Sequence, residues 1–210
     1  MKTPTLDLEA AAQAVTEAVE RRAGQAPLRV AIDGRCAAGK STLAAYLQRR
    51  NGWPVVHMDH FFLRPEQRSP ERLAEPGGNV DRERFWEEVL LPLQEGRAAV
   101  YRPFDCRSQS LREPLRLDPA PVVLAEGSYS CHPALWEAYG LHVFLTVDPE
   151  EQLRRIAARN GPEGLKAFRD RWIPMEERYF EAFSLAERCE LVLALAEPDC
   201  VPGAPSAIPS

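Results

Sequence analysis

A phosphate-binding loop is the first feature of this sequence that could do chemistry. Residues 34–41 read Gly-Arg-Cys-Ala-Ala-Gly-Lys-Ser, which fits the pattern G-x-x-x-x-G-K-[S/T] in full. The apolar run from Leu28 to Ile32 precedes it, and helix-forming residues follow it. Such a loop turns its backbone N–H groups toward a phosphate chain, and the next helix points its positive N-terminus at the same phosphates. The sequence therefore predicts a site for a nucleoside triphosphate.

Two side chains of this P-loop have predicted roles of their own. Lys40 supplies a mobile positive charge for the β- and γ-phosphates, and the Ser41 hydroxyl is a predicted ligand of Mg²⁺. The other positions contribute mainly their backbone. The predicted ATP-binding set is Gly34, Arg35, Cys36, Ala37, Ala38, Gly39, Lys40, Ser41 and Thr42.

Two acidic residues follow predicted strands. Asp59 comes after the apolar segment 54–58, and Glu126 ends the apolar run 121–125. Ligands gather at the carboxyl ends of the strands of a doubly wound sheet, so both carboxylates are expected beside the phosphates. Asp59 is the predicted base for an acceptor hydroxyl, and a turn-forming role is the alternative. Glu126 is the predicted acidic partner of the metal, together with Ser41.

Four arginines in the helical segment 150–188 are candidates for contacts with phosphate. Arg155 and Arg159 are four residues apart on one helical face, and we predict that they stabilise the charge that spreads during phosphoryl transfer. Arg169 and Arg171 flank Asp170 and are candidates for the substrate site, with a solvated helix face as the equal alternative.

Composition excludes several classes of partner. The chain has 210 residues, of which 45% are hydrophobic and 27% charged, with a formal net charge of −5. This balance does not favour nucleic acid or an anionic membrane as a partner. Apolar runs are too short to span a bilayer, the N-terminus does not resemble a signal peptide, and the five cysteines form no C-x-x-C pair. We therefore expect a reduced, cytoplasmic enzyme with a small-molecule acceptor, and self-association is left open.

Alternating strand and helix patterns after the P-loop predict an α/β fold, in which a parallel sheet carries helices on both faces. We predict one P-loop kinase domain over residues 1–196 and a disordered tail over 197–210. Residues 64–80 are rich in proline and glycine and predict an irregular, mobile segment over the site. The predicted parts of the domain are an N-terminal helix (5–24), a β-hairpin lobe for the acceptor (about 98–118) and a helical lid (about 155–172), with a break at Gly161-Pro162.

Missing motifs narrow the class of P-loop protein. No N-K-x-D follows to read guanine, and no D-x-x-G follows a strand as a γ-phosphate switch. These absences leave a small-molecule kinase, which needs a base, an acidic metal partner and a lid of cations.

Longer motifs resemble one group of kinases. Beyond the P-loop they are Met58-Asp59-His60-Phe61-Phe62, Asn79-Val80-Asp81 with Phe85, Tyr101-Arg102-Pro103-Phe104-Asp105, Leu124-Ala125-Glu126-Gly127, Arg155 with Arg159, and Arg171-Trp172-Ile173-Pro174. The chain resembles, over residues 28 to 195, the uridine kinase branch of P-loop kinases, which includes pantothenate kinase and phosphoribulokinase relatives.

This resemblance implies ATP as donor, Mg²⁺ as cofactor and the primary hydroxyl of a nucleoside-like molecule as acceptor. By the resemblance, Asp59 is the catalytic base and Arg155 and Arg159 are lid arginines. Asp81 holds ribose hydroxyls, and Asn79 belongs to the same substrate motif. Tyr101 and Asp105 lie in the lobe that covers the acceptor.

One departure concerns the acceptor. Where uridine kinases place a histidine that reads the pyrimidine, this sequence has Cys106 followed by Arg107. A kinase for pantothenate or a sugar phosphate is therefore a second hypothesis, and an ATP-binding regulatory module without transfer is a third.

Overall fold

A parallel sheet lies at the centre of the molecule. The computed structural model describes Thr3, residues 5–22, Gly24 and residues 27–196. In this part of the chain six parallel strands form the sheet, and their spatial order is Thr5–Leu6, Leu191–Leu195, Leu141–Thr146, Leu28–Gly34, Val122–Glu126 and Val55–His57. The elements in chain order are β1 (Thr5–Leu6), α1 (Leu8–Glu20), β2 (Leu28–Gly34), α2 (Lys40–Asn51), β3 (Val55–His57), α3 (Pro70–Ala74), α4 (82–94), β4 (Ala99–Tyr101), β5 (Phe104–Asp105), β6 (Ser110–Leu111), β7 (Leu115–Leu117), β8 (Val122–Glu126), β9 (Leu141–Thr146), α5 (Pro149–Ala167), α6 (Ile173–Phe183), α7 (Leu185–Arg188) and β10 (Leu191–Leu195).

Strand side chains alternate between two apolar cores, one on each face of the sheet. Val30 and Ile32 of β2 pack with α1 and α2 on one face. Ala31, between them, packs on the other face with residues of α4 and α6. Because both faces are covered, the central strands are mostly apolar on both sides, as is usual for parallel strands. The predicted α/β fold with helices on both faces is confirmed.

Strand register determines which side chains meet at the carboxyl edge of the sheet. Glu126 of β8 lies opposite Ile32 on one side and His57 on the other. Gly34, where the P-loop starts, lies opposite Leu145 of β9. The loop therefore leaves the sheet beside the end of β8, which places Glu126 next to it.

Two short antiparallel pairs occupy the predicted hairpin region. Strand β4 pairs with β7, and β5 pairs with β6. Small antiparallel hairpins are thus present beside the parallel sheet, as expected.

The N-terminal segment differs from its prediction as one helix over 5–24. Thr5 and Leu6 form an edge strand beside Ala194 and Leu195, and helix α1 starts only at Leu8. Asp7 separates the two elements because its carboxylate accepts the N–H of Ala10 at 2.7 Å and caps the helix. The helix ends at Glu20. The predicted tail, 197–210, lies outside the described residues.

Residues 64–80 contain more regular structure than the proline and glycine content predicts. A 3₁₀ turn covers Pro65–Gln67, and α3 follows with Ser69 as its N-cap. Arg72 binds the carbonyl oxygens of Gly78 and Val80 and pairs with Glu83. Arg72 thus links α3 to the end of this segment through hydrogen bonds that no local sequence pattern predicts.

The helical segment after β9 is interrupted twice. Gly161 has φ 69° and ψ −177° inside α5, so the helix breaks there as predicted. A π-helical turn at Phe168–Trp172 then joins α5 to α6. No helix of the described residues is long and apolar enough to cross a membrane.

A single buried carboxylate connects three parts of this fold. Asp33, next to the P-loop, is fully buried and accepts the N–H of Gly34 at 2.6 Å and that of Tyr129 at 3.1 Å. Its other oxygen accepts the N–H of Cys131 at 2.8 Å and the hydroxyl of Tyr179 at 2.9 Å. Burial raises the pKa of Asp33 to about 6, and the hydrogen bonds and Lys40 oppose that rise.

We expect Asp33→Asn to lower the free energy of unfolding by about 2–4 kcal/mol. The asparagine NH₂ would face donors, so at least one buried donor would lose its acceptor. Urea unfolding at neutral pH measures the change. Asp118→Asn is the control, because Asp118 is exposed and its loss is expected to stay within about 0.5 kcal/mol. Equal losses in the two variants would contradict the role given to Asp33.

Candidate active site

The P-loop is held open by backbone conformations that favour glycine. Gly34 has φ 130° and Gly39 has φ 98°. A Cβ on Gly34 would lie 2.0 Å from the carbonyl oxygen of Leu145, so a side chain there is excluded. Ala37 also has a positive φ, 59°, which costs an L-residue free energy. The loop therefore carries strain at Ala37 that neighbouring contacts must offset.

Lys40 begins helix α2 and folds back across the loop. Its Nζ donates to the carbonyl oxygens of Gly34 at 2.7 Å and Arg35 at 2.9 Å, and only 9% of the residue is exposed. Both partners are neutral, so an arriving phosphate offers the ammonium group a stronger, charge-assisted hydrogen bond. Lys40 is thus positioned at the loop, as predicted.

The predicted metal pair is brought together. The Ser41 hydroxyl donates to the two carboxylate oxygens of Glu126 at 3.2 and 3.1 Å, and Glu126 is buried. His57 Nδ1 lies 2.5 Å from Oε1 of the same carboxylate. Burial lowers the pKa of His57, but the hydrogen bond and charge of Glu126 outweigh it and the net shift is upward. His57 therefore lies at the site, in contact with Glu126.

The donor set of this pair fits Mg²⁺. A hydroxyl and a carboxylate are oxygen ligands, and Mg²⁺ is usually bound by one or two protein ligands together with phosphates and water. Among the described residues no group of three or more His, Cys, Asp or Glu side chains could hold a metal alone. Ser41 and Glu126 are therefore suited to a metal that arrives with a phosphate ligand.

Asp59 lies in the 3₁₀ turn Met58–Phe61 that follows β3. No residue in the described part of the chain makes a hydrogen bond to its carboxylate. Burial raises the pKa of Asp59 to about 7, with a further contribution from the charge of Glu126, while Lys40 and His57 oppose the rise. Gly127 makes room for this turn, because a Cβ there would lie 2.9 Å from Met58 Cβ and 3.4 Å from Asp59 Oδ1. The Asp59 carboxylate thus has no hydrogen-bond partner among the described residues, and it lies near Glu126, the predicted metal ligand.

Two aromatic residues are in contact at the turn that carries Asp59. Tyr101 is 5% exposed, and its hydroxyl lies 3.5 Å from Nδ1 of His60. Burial lowers the pKa of His60 to about 4, with a further contribution from His57, so its ring is neutral at pH 7. His60, the residue after Asp59, is therefore a neutral polar group beside the Tyr101 hydroxyl.

Other predicted substrate residues already have partners within the protein. Asp81 accepts the N–H of Arg84 at 3.1 Å and the side-chain N–H of Gln67 at 2.7 Å. Asp105 pairs with Arg112, whose hydrogen bond lowers the pKa of that carboxyl to about 2. Asn79 is buried, and its carbonyl oxygen accepts the N–H of Leu63.

Of the four arginines that are candidates for phosphate contacts, one contacts the P-loop. Arg155 donates to the carbonyl oxygens of Ala37 at 3.3 Å and Leu195 at 3.0 Å. The other three are exposed and make local contacts: Arg159 with Asn160 and the Phe168 ring, Arg169 with Asp170, and Arg171 with the Trp172 ring. The side chain of Arg155 thus binds a backbone carbonyl oxygen of the loop.

Three buried polar residues beside the loop were not predicted from the sequence as site residues. Gln152 donates to the carbonyl oxygen of Cys36 at 3.0 Å, and Glu176 accepts the N–H of Cys36 at 2.9 Å. Asp33 is the third. Glu176 shares a helical face with the buried Tyr179 and Phe180, so an acid on an apolar face is the signal that could have found it.

Comparison with known proteins bears on the family and the fold of the chain. The family model described as "AAA domain" matches residues 30–181. The chain belongs to this family. No curated protein sequence matches the chain.

Two solved kinase structures have a similar fold. A possible uridine kinase from Bacillus stearothermophilus has a TM-score of 0.61 and 19% identity over 79% of this chain and 88% of that one. A candidate fructose transport system kinase from a Silicibacter species has a TM-score of 0.61 and 23% identity over 92% of this chain and 100% of that one. At these identities the likeness shows the fold alone, so the chain shares its P-loop fold with these two proteins.

We expect Gly34→Ala to destabilise the protein by about 2 kcal/mol or more beyond Gly52→Ala. Both glycines have a positive φ, but a Cβ on Gly52 meets nothing within 4 Å, whereas that on Gly34 meets Leu145. Gly52→Ala gives the cost of adding a side chain at a glycine that has a positive φ and open space around it. Urea midpoints measure the difference, and equal midpoints would contradict the close approach of β9 to the loop.

Proposed function

We propose that this protein is a kinase that transfers the γ-phosphate of ATP to a hydroxyl group of a nucleoside-like small molecule, with Mg²⁺ as cofactor and in the cytoplasm. The observation that carries the proposal is the arrangement beside the P-loop. The hydrogen-bonded pair Ser41–Glu126 stands next to Asp59, whose carboxylate has no hydrogen-bond partner in the described part of the chain.

The donor side of the site would bind the phosphates. Residues 34–42 would supply backbone N–H groups, and Lys40 would turn from the loop carbonyls toward the β- and γ-phosphate oxygens. Ser41 and Glu126 would hold Mg²⁺, with His57 orienting the Glu126 carboxylate. When bound, Mg²⁺ supplies positive charge for the phosphate oxygens during transfer.

Asp59 would act on the acceptor. A carboxylate with a pKa raised to about 7 accepts a proton more readily than an ordinary aspartate, and this one is free to receive a hydroxyl. The proton of the acceptor hydroxyl would pass to Asp59 as the oxygen attacks the γ-phosphorus and the bond to ADP breaks. Little other covalent chemistry is needed, so positioning and electrostatics supply most of the rate.

One observation favours a second candidate acceptor, an anionic molecule such as a sugar phosphate or pantothenate. Arg68 donates to the carbonyl oxygen of Leu63 at 3.0 Å, and within the described residues no carboxylate pairs with it. Its positive charge acts on Cys106, which stands where uridine kinases have a histidine. The Arg68 guanidinium, near Cys106 and without a carboxylate partner in the described residues, is suited to binding a phosphate or carboxylate.

An acceptor panel tests the proposal. We expect ADP release from Mg²⁺-ATP to rise about tenfold or more over the basal rate with one class of acceptor among nucleosides, pantothenate and sugar phosphates. Stimulation by nucleosides supports the first acceptor, and stimulation by the anionic molecules supports the second. ATP binding without stimulation by any acceptor would instead support a regulatory module and contradict the proposed transfer.

We expect Asp59→Asn to lower turnover by about a hundredfold or more while ATP binding remains. Because the base must be deprotonated, wild-type kcat/KM should fall as the pH drops through about 7, or a lower value where bound Mg²⁺ reduces the raised pKa. The asparagine variant should lose that acid limb. Steady-state rates from pH 5 to 9 measure both effects. Asp118→Asn is the control, and near wild-type turnover of the Asp59 variant would exclude the base assignment.

A further inference from the structure

Both backbone groups of one P-loop residue are bound by side chains from the helical segment. Cys36 donates its N–H to Glu176 Oε2 at 2.9 Å, and its carbonyl oxygen accepts from Gln152 Nε2 at 3.0 Å. Glu176 is 5% exposed and Gln152 is 2% exposed. Two buried polar side chains thus bind the backbone of one loop residue.

The carbonyl contact determines where the next N–H points. In a trans peptide the C=O and the following N–H point in opposite directions. Since Gln152 holds the Cys36 carbonyl oxygen toward α5, the N–H of Ala37 is directed to the opposite side. The Ala37 N–H has no hydrogen-bond partner among the described residues, so it is a free donor in the phosphate loop.

The N–H contact acts on the preceding peptide in the same way. Glu176 binds the Cys36 N–H on one side, and the Arg35 carbonyl oxygen, on the other side, accepts from Lys40 Nζ at 2.9 Å. The two contacts therefore fix successive peptides on either side of Cys36. They can also offset the strain of Ala37, whose φ is 59°.

Glu176 makes a second contact that links the loop to the predicted metal site. Its Oε1 accepts the hydroxyl of Ser128 at 2.6 Å, two residues after Glu126. One carboxylate thus joins the P-loop, helix α6 and the segment that follows β8.

We propose that Gln152 and Glu176 are positioning residues that hold the P-loop in its phosphate-binding shape before the nucleotide arrives. The inference rests on the proposed function in that the loop binds a nucleotide. Neither side chain needs to touch the nucleotide. Pre-organising the loop lowers the cost of ordering it on binding, so the effect should be on nucleotide affinity.

Calorimetric titration with ADP and Mg²⁺ tests the proposal, because it requires no acceptor. We expect Glu176→Ala to weaken ADP binding about tenfold, the factor for loss of one hydrogen bond to a charged group. Gln152→Ala should weaken it in the same direction. Glu176→Gln should stay within about threefold of wild type, since its amide oxygen accepts from Cys36 and its NH₂ donates to Ser128. Glu181→Gln, an exposed site on the same helix, is the matched control.

The binding stoichiometry separates positioning from loss of fold. A positioning role predicts weaker binding at one site per folded chain and a raised KM for ATP with kcat within about threefold of wild type. Glu176→Ala with wild-type affinity would overturn the inference, and so would Glu176→Gln losing as much affinity as Glu176→Ala. A wild-type protein that binds no ADP would overturn the proposed function and this inference with it.

Discussion

The buried carboxylate of Asp33 is the constraint on which the rest of the site depends. It accepts four hydrogen bonds, from the start of the P-loop, from the segment after β8 and from Tyr179 of α6. Loss of these donors would leave a buried acceptor unsatisfied, which costs free energy. The carboxylate therefore holds the three parts in one arrangement. Helix α6 is thereby fixed near the loop, and its Glu176 can reach Cys36.

The site concentrates negative charge before any nucleotide binds. The charges of Glu126 and Glu176 both raise the pKa of Asp59, and the charge of Lys40 lowers it. A polyphosphate would add further negative charge to this region. In the proposed function, Lys40 and bound Mg²⁺ would compensate for it, and the charge of Glu126, which adds to the effect of burial on the pKa of Asp59, would also attract the cation.

Local patterns predicted that side chains near the P-loop would meet, but they did not predict the contacts between distant segments. The P-loop spacing and the strand-end acids are local, and parallel strands bring their carboxyl ends together, so the meeting of Ser41 and Glu126 could be anticipated. Gln152 and Glu176 are 116 and 140 residues from Cys36. Nothing near either residue in the sequence specifies that partner, so only the packed structure reveals it.

The same limit applies at the ends of elements. Leu6 falls on one helical face with Ala10 and Ala14, so the pattern predicts a helix that includes it, but pairing with β10 makes Thr5 and Leu6 a strand. Arg72 similarly orders residues 64–80 through contacts that proline and glycine content does not predict. Tertiary hydrogen bonds outweigh local propensity in both places.

The acceptor side differs physically from the donor side. Asp81 and Asp105, which the resemblance assigns to acceptor binding, are already bound to Gln67 and Arg112. An acceptor hydroxyl would have to replace those contacts, and the exchange returns little free energy because one hydrogen bond is lost for each one gained. Arg68, with no carboxylate partner in the described residues, gives up nothing comparable when it binds an anion. Specificity for the acceptor is therefore expected to depend more on charge near Arg68 and Cys106 than on the two aspartates.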